Sequence, residues 1–186
     1  MQRCGWVTAD PLYVRYHDRE WGVAQRERRA LFEMLCLEGQ QAGLSWITVL
    51  KKRENYRRAF HDFDPATVAR MDEADISRLM QDSGVIRHRG KLEAIVQNAR
   101  ALLAMEAAGD DFSRFIWSFV NDRPILHYYA DYRQAPVTSE PAMALSKALK
   151  QRGFKFIGPT ICHAFMQACG LINDHQTTCF RHPDNL

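Results

Sequence analysis

The chain has 186 residues, enough to bury roughly two thirds of its unfolded surface around one core without help from disulfides. Hydrophobic residues make up 46% and charged residues 25%, which is ordinary for a soluble protein, and no apolar run approaches the 18 residues of a membrane span. The net charge is only +3, the five cysteines are an odd number, and the start Met1-Gln2-Arg3-Cys4 is polar. These features argue against a disulfide framework and a signal peptide, so a cytoplasmic protein with free thiols is expected.

Residues 1–24 are rich in aromatic side chains and read as irregular, with Asp10-Pro11 as a turn or helix start. Residues 28–38 and 42–60 read as helices. Between Ala30 and Leu37 only Glu33 is polar, so this helix is expected to be buried on most of its surface. A carboxylate, Glu38, then appears at the end of the apolar run, followed by Gly39, Gln40, Gln41, Gly43 and Trp46. A carboxylate there must be hydrogen-bonded or face a cavity, because unpaired burial costs several kcal/mol. One reading is a pocket with an acceptor beside an aromatic wall. The other is a plain helix–turn–helix corner with a capping glutamate.

Asp64-Pro65 carries a helix start signal, a cap followed by proline in the first helical position. Asp72 can cap the next helix, whose Ile76, Leu79 and Met80 recur at helical spacing before Gly84. A longer helix runs from His88 to Met105, closed by Gly109. Phe112–Val120 reads as a short core helix. Residues 122–138 have little period. Ser139-Glu140-Pro141 opens a helix to about Gln151, and a last helix runs from Pro159 to Gly170. No stretch alternates with period two, so the expected fold is all-α, one domain over 1–186 with eight or more short helices.

Three groups of residues carry chemistry. Cys4 and His17 lie near one end and His175 and Cys179 near the other. Two thiolates and two imidazoles make a full tetrahedral set for a structural zinc ion, which would join 1–24 to 171–186. Unrelated residues near flexible ends are the alternative. Cys36, Cys162 and Cys169 sit in apolar runs and read as core. Second, the turn 150–160 places Arg152 and Lys155 among Gly153 and Gly158, ahead of a helix start that suits an anion. This is the helix-hairpin-helix way of gripping DNA backbone without reading sequence. Residues 84–91, with Arg87, His88, Arg89 and Lys91, can offer a similar contact, and Lys51 to Arg58 form a further basic cluster. Ordinary solvated helix faces and turns are the alternative for each. Third, Trp6, Tyr13, Tyr16 and Trp21 crowd the first segment. Closed over Glu38 and Trp46, they would suit a flat, cationic or amine-bearing heterocycle.

Cys4-Gly5-Trp6, Tyr16-His17-Asp18, Glu20-Trp21-Gly22-Val23, Leu37 to Trp46, Ile86 to Lys91 and Gly153 to Gly158 occur in this order. Together they closely resemble the DNA-3-methyladenine glycosylase I family of bacteria, from Cys4 to Cys179. The resemblance implies an all-α helix-hairpin-helix glycosylase that removes 3-methyladenine from alkylated double-stranded DNA and releases the free base. Nothing in the sequence asks for a partner, so a monomer is expected. It implies Zn2+ on Cys4, His17, His175 and Cys179. It implies that Glu38, the candidate catalytic residue, and Tyr16 meet the base edge, that Trp46 stacks on it, and that Trp6, Tyr13 and Trp21 line the pocket. Arg152, Gly153, Lys155 and Gly158 would hold DNA. Asp174 lies roughly where many helix-hairpin-helix glycosylases carry an aspartate; orienting its neighbour His175 is its other possible role, and it is left out of the catalytic set. With no clear lysine nucleophile, hydrolysis without strand cleavage is expected. A zinc-stapled DNA-binding module without catalysis is the alternative, as is a glycosylase with lyase activity.

Overall fold

Side-chain caps start most of the helices. The structure is a computed structural model that describes residues 1–186. Its ten α-helices are α1 (Pro11–Arg19), α2 (Arg28–Gln40), α3 (Trp46–Lys51), α4 (Arg53–Ala59), α5 (Pro65–Val68), α6 (Glu73–Leu79), α7 (Arg89–Ala107), α8 (Phe112–Ser118), α9 (Glu140–Gln151) and α10 (Pro159–Ala168). Asp10, Asp64, Asp72, Asp111 and Ser139 each accept a first-turn N–H, of α1, α5, α6, α8 and α9 respectively. Each such cap satisfies an otherwise orphaned donor and is worth about 1 kcal/mol.

Three expectations need correction. Residues 1–24 are not irregular throughout, because the Asp10-Pro11 start carries nine helical residues. Residues 42–60 are not one stretch of helix: a turn over 41–45 precedes α3, and Lys52 separates α3 from α4. The chain is mostly helical but has two strand segments, β1 (Ile125–Leu126) and β2 (Ile172–Asn173), paired in parallel with Ile125 opposite Ile172. A two-residue bridge has no room for an alternating pattern, so periodicity could not announce it.

The helix α2 sits at the centre, against α7 on one side and α10 on another. Leu31, Phe32, Leu35 and Leu37 are fully buried there, in a core of 40 residues that also takes in α7, α9 and α10. Residues 22–25 cross the end of α10. The Gly22 N–H donates to the Gln167 carbonyl at 3.1 Å and the Gln25 N–H to the Cys169 carbonyl at 2.8 Å. Gly170 makes this crossing possible. Its φ is +73°, and a Cβ there would lie 2.4 Å from the backbone of Val23 and Ala24. The two ends also meet, where the Phe180 N–H donates to the Gln2 carbonyl, and the Thr177 N–H ties the C-terminal segment to the Tyr129 carbonyl. All five cysteines are free thiols, and no helix is long and apolar enough to cross a membrane.

Gly170→Ala adds a left-handed strain of roughly 1–2 kcal/mol and a backbone collision costing about as much again. Urea denaturation of this variant is expected to show a loss of about 3 kcal/mol, about twice that of Gly109→Ala, which carries the same left-handed strain at φ +99° but where a Cβ meets nothing within 4 Å.

Candidate active site

Glu38 occupies the last turn of α2 and Trp46 opens α3, so the turn 41–45 brings them back beside each other. Lys91, at the start of α7, holds that turn from within. Its ammonium donates to the carbonyls of Gln40 at 3.0 Å and Ala42 at 2.6 Å. A cation at the carbonyl end of a helix is favoured by the helix dipole as well as by the two bonds. The helix α1 places Tyr13 and Tyr16 one turn apart, and Trp6 and Trp21 come from the segments on either side of it.

These six side chains line a single cavity of about 290 Å³. Trp6 meets Tyr13 at 5.1 Å and Trp21 at 5.0 Å between ring centroids, and Tyr16 meets Trp46 at 5.6 Å. The rings meet tilted or edge-on, which aromatic quadrupoles favour over a flat sandwich. The remaining wall was not foreseen. It comes from Tyr132, Pro136 and Val137 in the segment of little period, and from Thr160, His163, Gln167 and Asp174. A signal for the α10 part did exist: Thr160, His163 and Gln167 lie at i, i+3 and i+7 of an otherwise apolar helix, which puts them on one face.

Six buried polar side-chain atoms in the molecule have no hydrogen-bond partner. Four of them, Trp6 Nε1, Trp46 Nε1, Glu38 Oε2 and His163 Nε2, belong to residues that line this cavity. Native interiors leave few such atoms, so their concentration in one cavity marks a site for a polar ligand. Burial pushes the Glu38 carboxyl up to about 8. Burial, and after it the nearness of Glu38, raises Tyr13 and Tyr16, so both hydroxyls stay protonated. A cation entering beside Glu38 would favour its ionised form and gain a partner that water does not screen.

On the far side of Trp6 and Trp21 the two chain ends converge. Cys4 Sγ, His17 Nε2, His175 Nδ1 and Cys179 Sγ lie within 4.8 Å of one another, all buried. Sulfur-to-nitrogen distances are 3.5 Å for Cys4–His175, 3.4 Å for Cys179–His17 and 3.6 Å for Cys179–His175. A tetrahedron with Zn–S near 2.3 Å and Zn–N near 2.0–2.1 Å has such edges at about 3.6 Å, so the four residues fit a tetrahedral metal ion. The hydrogen bond between the two sulfurs lowers the Cys179 thiol, helped by His17 and His175, and together with burial raises the Cys4 thiol. The second nitrogen of each ring is held: His17 Nδ1 lies 2.7 Å from Asp18 Oδ1, and His175 Nε2 lies 2.8 Å from the Trp21 carbonyl. Arg3 in turn grips Asp18. Such outer partners fix tautomer and ring direction at metal sites. Asp174 does not serve that purpose, since its carboxylate pairs with His127 and Gln167.

The basic clusters differ among themselves. In the first, Lys51, Arg53 and Arg57 are paired with Asp10, Glu20 and Glu33. In the second, His88 caps α7, Arg89 pairs with Glu73 and Lys91 is buried, while Arg87 is exposed. In the third, Gly153 has φ +91° and Gly158 caps α10 with no side-chain cap bond, which leaves first-turn N–H groups for an anion. Lys155 is exposed there and its backbone is clasped by Asn98. Arg152 is less available than expected, because it pairs with Asp110 at 2.7 Å and lies over Phe115.

The methyladenine glycosylase family model matches residues 6–182. The chain belongs to that family. DNA-3-methyladenine glycosylase 1 of Escherichia coli is 60% identical over 185 residues, covering 100% of this chain and 99% of its own. A crystal structure of a 3-methyladenine DNA glycosylase I is 62% identical, with a TM-score of 0.97, and the match covers 98% of this chain and 100% of that one. A Staphylococcus aureus 3-methyladenine DNA glycosylase I, whose structure concerns recognition of 3-methyladenine, is 45% identical with a TM-score of 0.94 over 98% of this chain and 97% of that one. Membership of the family and a fold shared at this level make the aromatic cavity the natural candidate for the site of its chemistry.

The raised Glu38 carboxyl also sets a stability prediction. An unfolded glutamate ionises near 4.3 while the folded one stays protonated to about 8. Between those values the native state binds more protons, so stability falls as pH rises from about 4 toward 8. Glu38→Gln removes this term. Chemical denaturation is expected to find variant and parent close at pH 5 and the variant more stable by a few kcal/mol at pH 8.

Proposed function

We propose that this chain is a DNA-repair glycosylase that takes 3-methyladenine out of alkylated double-stranded DNA, hydrolyses its N-glycosidic bond and leaves an abasic site. One observation carries the reading: a buried carboxyl without a partner stands among indole and phenol rings, in a cavity lined by two tryptophans whose buried indole N–H groups also have no partner. Family membership supplies the substrate class.

Methylation at N3 makes the base of the nucleotide cationic, so it leaves neutral once the glycosidic bond breaks. The pocket then has three tasks: to accept the extruded base, reject ordinary ones and stabilise the charge. Extrusion costs a few kcal/mol, least for a damaged base. Trp46 stacks on the base, Tyr16 and Glu38 meet its edge, and Trp6, Tyr13 and Trp21 close the walls. Cation–π contact is worth roughly 0.5–2 kcal/mol and favours the alkylated purine over a neutral one. Glu38 adds a charge-assisted hydrogen bond to an exocyclic amine. No lysine lines the cavity, which supports hydrolysis without strand cleavage. A module that only bound DNA would have no use for this carboxyl.

We read α9, the turn 152–158 and α10 as a helix-hairpin-helix. Gly153, Gly158 and Lys155 hold a phosphate, and Arg152 contributes from its pair with Asp110. This grip orients the duplex without reading sequence. One structural Zn2+ bound by Cys4, His17, His175 and Cys179 would supply no chemistry at the base, since four protein ligands leave no open position. Its part is to tie 1–24, with four pocket aromatics, to 171–186. The continuous core supports one working unit over 1–186.

Glu38→Gln is expected to keep the fold and lose base release from methylated duplex DNA by about 100-fold or more, the scale of a lost electrostatic partner. Chromatography of the released bases checks this, and near-parent rates would remove Glu38 from its role. For the metal, near-stoichiometric zinc is expected by elemental analysis. Cys179→Ser should lower both zinc content and melting temperature, and a metal-free parent with the same melting temperature would count against a structural ion.

A further inference from the structure

Glu38 is not the sole polar group in the cavity wall, which also holds His163 and Asp174. His163 is 1% exposed, and its Nδ1 lies 3.1 Å from the hydroxyl of Ser139, the cap of α9. Nε2 has no hydrogen-bond partner, and in the tautomer that donates Nδ1–H to the hydroxyl it presents a lone pair. Asp174 is 2% exposed and rigidly held, Oδ1 by His127 at 2.6 Å and Oδ2 by Gln167 at 2.8 Å. His163 Nε2 and Asp174 Oδ2 are 4.0 Å apart, too far for a direct bond. A water about 2.8 Å from each would subtend an angle of about 90° between them, which is open enough for it to bond both. Both residues line the cavity.

This inference rests on the excision reading above, which also says what passes this part of the wall. The base lies among the aromatic rings and the phosphate at the first turn of α10. Thr160 in the first turn of α10 and His163 one turn further on both line the cavity, so a nucleotide with its base among the rings and its own phosphate at that turn runs its sugar along this face. We propose that His163 is a further catalytic residue, which with Asp174 holds the attacking water beside the anomeric carbon and accepts its proton. As the water oxygen bonds to that carbon, the bond to the base breaks and its electron pair cancels the charge on the base. The surplus proton of the water passes to His163 Nε2, and Asp174 faces the imidazolium that results. Burial lowers His163, against the opposing pull of Asp174 and the Pro136 carbonyl and with the aid of His127, so the ring starts neutral.

The test is single-turnover excision from methylated duplex DNA in aqueous methanol, with parent and His163→Ala side by side. Water attack leaves an abasic site that alkali cleaves, and methanol attack leaves a methyl glycoside that alkali does not. His163→Ala is expected to slow base release by about 100-fold, the lower range of general-base effects. It should also raise the alkali-resistant fraction several-fold, because no ordered water competes with methanol. Binding of free 3-methyladenine, read by tryptophan fluorescence, should stay within twofold. Ser139→Ala, which keeps the imidazole and removes only its anchor, should fall between the two and serves if His163→Ala does not fold. A parent that releases no base would overturn the excision reading itself. A competent parent with His163→Ala and Ser139→Ala equally fast, or slower at an unchanged ratio of products, would overturn this proposal alone.

Discussion

The rest of the structure depends on one unfavourable interaction: a carboxyl buried without a hydrogen-bond partner beside aromatic rings. Glu38 is held there by a helix whose other residues are among the most buried in the molecule. The apolar burial of Leu31, Phe32, Leu35 and Leu37 stabilises α2 by several kcal/mol, enough to carry a costly side chain at its end. The cost shows as a carboxyl that stays protonated well above its ordinary range. A cationic, flat ligand relieves it, and a neutral polar one relieves less of it. Stability given up in this way becomes selectivity, as with other functional groups held in unfavourable surroundings.

Around that group the fold supplies rigidity in two ways. Lys91 ties the start of α7 to the carbonyl end of α2 and so fixes the turn that leads to Trp46. At the opposite wall the chain ends are drawn together by backbone bonds, by the crossing over Gly170 and by the cysteine–histidine cluster. Four pocket aromatics reside on the segment so anchored. Trp21 links the two regions directly, with its ring in the cavity wall and its carbonyl bonded to His175. Loss of order in the cluster would therefore be felt as loosening of the pocket.

The charged residues were the hardest part to read from the chain. Lys51 to Arg58 and Arg87 to Lys91 look like phosphate contacts when only runs of like charge are visible. Their partners Asp10, Glu20, Glu33 and Glu73 are distant in sequence and become neighbours only through helix packing. At Lys155 the proposed phosphate contact is supported by exposure and by the uncapped start of α10, features of a local turn. Asp174 illustrates the same limit. Sequence proximity suggested a bond to His175, whereas the imidazoles of the cluster are held by Asp18 and by the Trp21 carbonyl.

What the amino-acid order determined by itself was local. Helix starts at Asp64, Asp72 and Ser139, the burial of α2, and the placement of Glu38 at its end follow from caps and period within a few residues. The pocket residues and the Cys4, His17, His175 and Cys179 set were legible as candidates because motifs of known kind contain them. Tertiary structure alone decided that these residues share one cavity and one cluster, and that residues 132–137 and one face of α10 complete the wall. The physical reason is separation. A cap or a helical stripe is an interaction over three or four residues, while the β1–β2 bridge, the crossing at Gly170 and the junction of the chain ends depend on contacts between distant segments, which no local pattern encodes.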